Sequence, residues 1–317
     1  MFLRDFVLAQ VIYKFALASL VLLVVLTLAS QFGAYAYLEL TTHFRLQYFL
    51  GAIVCALLLT TSQSWKFVAI AVFCALLNAA SIWPYYRKPE STVAVAKNKL
   101  RLFHANVFEK SRDYQAVLER VKEANADVVV LQELTQEWSK QTEILKNSYA
   151  FVEVAPRPSG AGMGVFSLYP LVDVQVLALD STTHVAILTK IKVNESELTL
   201  LSLHPTTPIT EEKFRNRNQQ FNEAAKLIRP IAGPKVLVGD LNTTMWSPYF
   251  RQLLADAGLR DARLGFGLGT TWPEPYPPFL RIAIDHCLVS NEVGVESMRV
   301  GPTTGSDHRP LIIDLKF

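Results

Sequence analysis

The chain has 317 residues, half of them hydrophobic, with 31 basic and 28 acidic side chains. Residues 1–86 hold only six charges (Arg4, Asp5, Lys14, Glu39, Arg45 and Lys66), whereas 27 of the basic and 26 of the acidic residues lie in 87–317. That division excludes a single uniform soluble domain and excludes disorder as the main state, and three cysteines without metal-site spacing exclude a disulfide framework or a zinc site.

The first element is an uncharged run from Phe15 to Leu38. Its 24 residues, as a helix, reach about 36 Å, enough for a bilayer core with some tilt. Further apolar runs cover 46–64 and 67–83, the last one short and interrupted by Asn78. Tyr48, Trp65, Trp83, Tyr85 and Tyr86 sit near the run ends, where amphipathic rings favour the interface. A cleaved leader explains the first run but leaves the other two without a role. The expectation is three spans, or two and a re-entrant segment, tying the protein to a lipid bilayer. Basic residues at the run ends lean toward a cytoplasmic large domain.

Arg87–Asn98 is polar, contains Pro89 and reads as a linker. From Lys99 the pattern alternates. Leu100–Val107 reads as a strand, Ser111–Ala124 as a helix with Tyr114, Val117, Leu118 and Val121 on one face, and Asp127–Leu131 as a strand buried on both sides. A helix over 135–147 follows, then short strands at 149–154, 163–168, 171–179, 184–193 and 197–203. Glu211–Ile228 is a helix ended by Pro230, Gly233 and Pro234. A strand at 235–238, a helix at 247–257 and three more strands close the chain. This order predicts an α/β fold of two sheets packed face to face with helices outside.

Strongly polar residues stand at the ends of these apolar strands: Asn106, Glu133, His204, Asp240 with Asn242, Asp285, and Asp307 with His308. Asn and Asp beside a strand are commonly turn formers. Turn chemistry does not ask for Glu133 after VVVLQ or His204 after TLLSL. Asp240 and Asn242, two apart, point the same way, while adjacent Asp307 and His308 diverge.

With these motifs in view, residues 99–317 resemble the endonuclease/exonuclease/phosphatase superfamily. The matching segments, in order, are HANV, LQE, GAGMGVFSLYPL with its G-x-x-x-x-S-x-x-P pattern, LSLHP, VGDLNTTMWS with its G-D-x-N block, IDH and GSDHRP. The chain is similar in particular to bacterial members in which apolar helices precede the domain. The resemblance implies a four-layer α/β sandwich and a phosphoesterase that hydrolyses its substrate by direct attack of water. It implies Mg²⁺ or Mn²⁺ held by Glu133 with Asn106 and Asp307, a hard oxygen donor set suited to those ions. His308 would be the base or a phosphate contact, with Asp285 orienting it. Asp240 would position the water, and His204 and Asn242 would hold phosphoryl oxygens. His104 reads as a buried, hydrogen-bonded histidine and His286 as packing, while His43 and His184 carry no signal.

Substrate stays open between a lipid head group or small phosphoester and DNA or RNA, and an idle binding domain is the reading from outside enzymology. Trp246, Trp272, Tyr276 and Phe279 could stack on bases, meet acyl chains or simply stiffen a proline-rich loop. Arg215 and Arg217 read either as phosphate contacts or as a solvated helix face. The near-zero net charge of 87–317 argues against capture of duplex DNA.

Overall fold

The computed structural model describes residues 2–87, 96–179 and 184–317; residues 88–95, most of the expected linker, lie outside the described residues. The amino-terminal region folds into α1 (Phe2–Ala29), α2 (Ala36–Thr42), α3 (Arg45–Thr60) and α4 (Trp65–Ile82). Two stretches, Phe6–Ala29 and Trp65–Tyr86, are long and apolar enough to cross a membrane. Helices α2 and α3, bent by 62° at their break, would supply a third span only as a pair. Phe15, Leu22, Leu57 and Phe73 stay exposed on these helices, an apolar surface that water does not favour. Inside the bundle, the Asn78 amide donates to Thr27 Oγ1 at 3.2 Å, and Arg45 donates to Ser30 O at 3.0 Å.

The apolar run expected to be one helix over 15–38 is divided. Helix α1 stops at Ala29, and α2 turns away to pack on the large domain through Glu39 and Thr42, both buried. Ser30, Gln31 and Gly33 carry no charge, so hydropathy gives no sign of the break.

The large domain is two six-stranded sheets. One runs β11 (Gly294–Val300), β12 (Leu311–Lys316), β1 (Lys99–Asn106), β2 (Val128–Gln132), β4 (Met163–Ser167), β3 (Phe151–Ala155). The other runs β5 (Leu171–Ala178), β6 (Val185–Val193), β7 (Ser196–Leu203), β8 (Lys235–Asp240), β10 (Asp285–Val289), β9 (Arg260–Asp261). Helices α5 (Tyr114–Ala124) and α6 (Gln136–Thr142) cover the first sheet, and α7 (Glu211–Ile228) and α8 (Pro248–Ala257) the second. This is the expected four-layer sandwich. Helix α7 begins at Thr210, whose hydroxyl accepts from Lys213 N, and α8 begins at Ser247, whose hydroxyl accepts from Tyr249 N, which satisfies donors that a helix start leaves open.

The site is positioned by strand direction and by period-2 alternation. β1 runs parallel to β2 and β7 to β8, while β12 and β10 run antiparallel beside them. The carboxyl ends of the four parallel strands and the amino ends of β10 and β12 therefore share one rim. Along each strand the side chains facing the other sheet are apolar until that rim and polar at it. The sequence of inward residues is Leu100, Leu102, then His104 and Asn106 on β1; Val128, Val130, then Gln132 on β2; Val236, Val238, then Asp240 on β8. On β10, running the other way, Asp285 comes first and Cys287 and Val289 follow.

Candidate active site

Four strand ends deliver the acidic groups. Asp240 and Asp285 are direct partners across β8 and β10. The amide of Asn106 lies between two carboxylates, donating to Glu133 Oε1 at 2.8 Å and to Asp240 Oδ2 at 3.2 Å. Glu133 Oε2 accepts from Glu109 N at 2.8 Å. Glu133 itself sits at φ 65°, a left-handed backbone uncommon for a residue with a side chain. Its neighbours hold it there. Leu134 N donates to Gly162 O and Arg157 N to Leu134 O, each at 3.0 Å. A Cβ on Gly162 would lie 2.2 Å from Leu134 O, so only glycine lets the two backbones meet.

The imidazoles complete the cluster. His308 Nδ1 is 2.9 Å from Asp285 Oδ2, and His104 Nε2 is 3.1 Å from Asp285 Oδ1. His308 Nε2 points toward Asp240 Oδ2 at 3.6 Å. His204 donates from Nδ1 to Asp240 O at 3.3 Å, with Nε2 3.7 Å from Glu133 Oε1. Asn242 donates its backbone N–H to Asp240 Oδ1 and its amide to Pro205 O. Asp307 Oδ2 accepts from the Trp272 indole at 3.1 Å. The rim thus brings all eight expected residues together, and His104 is the buried, hydrogen-bonded histidine anticipated. His286 is fully buried and donates to Thr243 O. His184 lies beside the site, its ring 5.8 Å from that of His204.

Burial and charge set opposite shifts within this group. Burial raises the Asp240 carboxyl, with the nearby Asp285 adding to the rise against His308 and His204. Burial works the same way on Asp285, but attraction from His308 and the hydrogen bonds from His104 and His308 outweigh it and hold that carboxyl well below the usual range. For His308, burial opposes the charged ring, yet Asp285 and Asp240 carry its pKa up to about 10.

Residues that sequence reading passed over do the positioning. Gln132 spans the two sheets: its Oε1 accepts from Asp240 N at 2.9 Å and its Nε2 donates to Leu203 O at 3.0 Å. Gln132→Leu leaves a buried donor and a buried acceptor unmet at a cost of about 1–3 kcal/mol each. A lower melting temperature of the full chain in detergent is expected; an unchanged one would remove Gln132 from this role. Ser306 donates to Asn106 O and accepts from His308 N. Arg215 is exposed and pairs with Glu211, whereas Arg217 is neither solvated nor in the site: it is buried and donates to Glu39 Oε2 at 2.6 Å. Trp246 is buried, donating to Ser81 O of α4.

A cavity of about 420 Å³ opens on the cluster, lined by Glu133, Asp240, Asn242, Asp307 and His308, with Leu40, His43 and Phe44 of the helical region on its wall. Among the described residues three carboxylates line it without a lysine or arginine, a donor set suited to a cation. Asp240, Asp285 and His308 form the tightest group of possible ligands, with donor atoms within 4.8 Å of one another. Both oxygens of Asp285 are engaged by imidazoles, however, and Asp285 does not line the cavity, so the carboxylates that face the cavity are those of Glu133, Asp240 and Asp307.

Paired mixed sheets with a carboxylate–histidine cluster on a common rim define a hydrolase-type α/β sandwich, and comparison with known proteins agrees. The profile of the Endonuclease/Exonuclease/phosphatase family matches residues 103–308. The chain belongs to that family, a superfamily of divalent-metal-dependent hydrolases acting on phosphoesters. No curated protein sequence matches it. Among solved structures, an endonuclease/exonuclease/phosphatase from Beutenbergia cavernae is 18% identical, with 70% of this chain and 72% of that one covered and a TM-score of 0.56. The one from Bacteroides vulgatus is also 18% identical, covering 69% and 99%, at 0.58. D. rerio TDP2 in complex with a single-strand DNA product is 15% identical, covering 70% and 100%, at 0.59. At these identities the likeness is one of fold.

Proposed function

We propose that the protein is a membrane-anchored phosphoesterase of the bacterial inner membrane that hydrolyses a phosphodiester or phosphomonoester by direct attack of water. The observation that carries this reading is the cavity in which Glu133, Asp240 and Asp307 meet His308, with no lysine or arginine in its walls among the described residues. Glu133 and Asp307 would hold Mg²⁺ or Mn²⁺, with Asn106 as a support: its amide nitrogen braces the Glu133 and Asp240 carboxylates, while its Oδ1 accepts from Phe108 N. The ion supplies charge neutralisation for the phosphoryl oxygens and the leaving oxygen.

The remaining steps belong to this chain's side chains. Asp240 orients the water and takes its proton on Oδ2, the oxygen that faces His308. His308 is fixed through Nδ1 by Asp285, so Nε2 is the atom presented to a phosphoryl oxygen. His204 and Asn242, on either side of Asp240, hold the other oxygens as charge develops. The apolar outward faces of α1 and α4 are the surfaces offered to the bilayer.

A nucleic-acid substrate is the second reading, supported by the TDP2 relative solved with a single-strand DNA product. A polyanion is held by phosphate contacts from Lys and Arg, which the cavity walls do not provide.

The test uses the full chain in detergent. It is expected to cleave bis-p-nitrophenyl phosphate with Mg²⁺ or Mn²⁺, and both EDTA and Glu133→Ala are expected to abolish cleavage. Full rate under either condition overturns the reading.

A further inference from the structure

The helical region does more than sit beside the site. The cavity carries apolar side chains beside its carboxylates: Phe108, Ile209 and Trp272 of the large domain, and Leu40 and Phe44 of the helical region. A second hollow, about 350 Å³, lies against the helices. It is lined by Leu26, Leu40, Thr41, Phe44, Gln47 and Tyr48, so Leu40 and Phe44 belong to both. Leu26 lies on the apolar stretch Phe6–Ala29, long enough to cross a membrane. Leu40 and Phe44 therefore form a shared apolar wall between the carboxylate cavity and a hollow that reaches a candidate spanning helix.

This shared wall is built into the fold. The Gln47 amide donates to Phe279 O at 3.1 Å and to Arg281 O at 3.0 Å, tying α3 to the loop beside the mouth. Glu39 is buried against Ser247, Thr243 and Arg217, which fixes α2 and with it Leu40. On the outer side, Ile209 and Phe279 are more than half exposed, placing apolar side chains where a bilayer surface would meet the mouth.

Resting on the phosphoesterase reading, we infer that the substrate is a membrane amphiphile, with its phosphoester at the Glu133–Asp240–His308 end and its hydrocarbon chain along the Leu40–Phe44 groove. Two features favour a hydrocarbon chain over a polynucleotide as occupant. Among the described residues the hollow's lining carries no charge, and it shares Leu40 and Phe44 with the site's cavity while Leu26 belongs to a helix suited to the bilayer. Moving methylenes into such a groove is favourable, so chain length should register in kcat/KM.

The experiment compares p-nitrophenyl methyl phosphate with p-nitrophenyl dodecyl phosphate, two diesters with one reacting centre, on the full chain in detergent with Mg²⁺ or Mn²⁺. The quantity read is the ratio of the dodecyl to the methyl kcat/KM within each protein, which cancels losses from partial unfolding. The wild type is expected to give a ratio of at least about tenfold. In Phe44→Ser and Leu40→Ser the ratio is expected to fall toward one, and in Phe44→Leu it is expected to be largely kept. A wild-type ratio near one with methyl-ester turnover present overturns the amphiphile inference and leaves the phosphoesterase reading standing. A high ratio that survives both serine substitutions traces the preference to micelle partitioning and also overturns it. No turnover of either ester overturns both readings.

Discussion

Glu39→Ala is expected to cost about 3–5 kcal/mol of stability, the range for removing one partner from a buried ion pair. Glu39 and Arg217 are both fully buried, 2.6 Å apart. The Arg217 guanidinium also packs on Phe214, Phe221 and Tyr249 and reaches Asn242 O at 3.4 Å. Without the carboxylate, that charge has no counter-ion in an aromatic enclosure, and the hydroxyls of Ser247 and Thr243 lose their acceptor. Arg217→Ala should cost a similar amount by stranding Glu39. The paired replacement Glu39→Leu with Arg217→Met should recover much of the loss, because two apolar side chains also spare the desolvation of two charges. Thermal unfolding of the full chain in detergent, followed by tryptophan fluorescence, measures all three. Single variants that melt as the wild type does would mean the pair contributes little to holding the helical region on the sandwich. The same geometry has a consequence for truncation. Residues 99–317 alone keep Arg217 but not Glu39, and they expose the face of the sandwich core on which Ile82, Leu46, Phe49 and Tyr85 pack. That fragment is expected to be less stable than the intact chain.

The sandwich and its rim were legible because the contrast there is local. A histidine after Thr-Leu-Leu-Ser-Leu, or a glutamate after Val-Val-Val-Leu-Gln, stands out against the apolar strand that precedes it, and strand direction then gathers such ends in one place. The helix Glu211–Ile228 was readable to the residue because Pro230, Gly233 and Pro234 lie just past its end. What could not be read depends on distance. Glu39 and Arg217 are 178 positions apart, and each looks ordinary in its own segment. Arg217 lies in a stretch so polar that its buried face, Phe214, Arg217, Gln220 and Phe221, breaks the apolar period that marks a core. Gln132 was hidden differently: an amide at a strand end resembles the start of a turn until the opposite sheet supplies Asp240 N and Leu203 O. The division of the first apolar run escaped because hydropathy reports polarity and not helix ends. As a result, the part of the site wall built from Leu40, His43 and Phe44 had no counterpart in the sequence reading.

Asp285→Asn is expected to lower kcat by about 10²–10³-fold, the range for losing one group that stabilises developing negative charge on oxygen, while leaving the fold close to intact. Asp285 does not line the cavity; it acts through His308. Both of its oxygens are occupied, by His104 Nε2 and His308 Nδ1, and attraction from His308 with these hydrogen bonds overcomes burial to keep it ionised. The asparagine has nearly the same shape but offers one acceptor and one NH₂ group where two acceptors are needed. One imidazole must then rotate or change tautomer, and His308 loses the charge that carries its pKa up to about 10. At neutral pH the ring would then present a weaker positive charge at Nε2, or none, at the moment a phosphoryl oxygen gains negative charge, so the loss should fall on kcat with KM little changed. Asp285→Ala should add a stability loss, because His104 and His308 are then both left unpaired in a buried setting. The two variants together separate chemistry from folding: rate and melting temperature fall in the alanine, and rate alone in the asparagine. An Asp285→Asn protein that hydrolyses bis-p-nitrophenyl phosphate within a few-fold of the wild-type rate would show that His308 does not need Asp285, and the positioning role given to Asp285 would have to be abandoned.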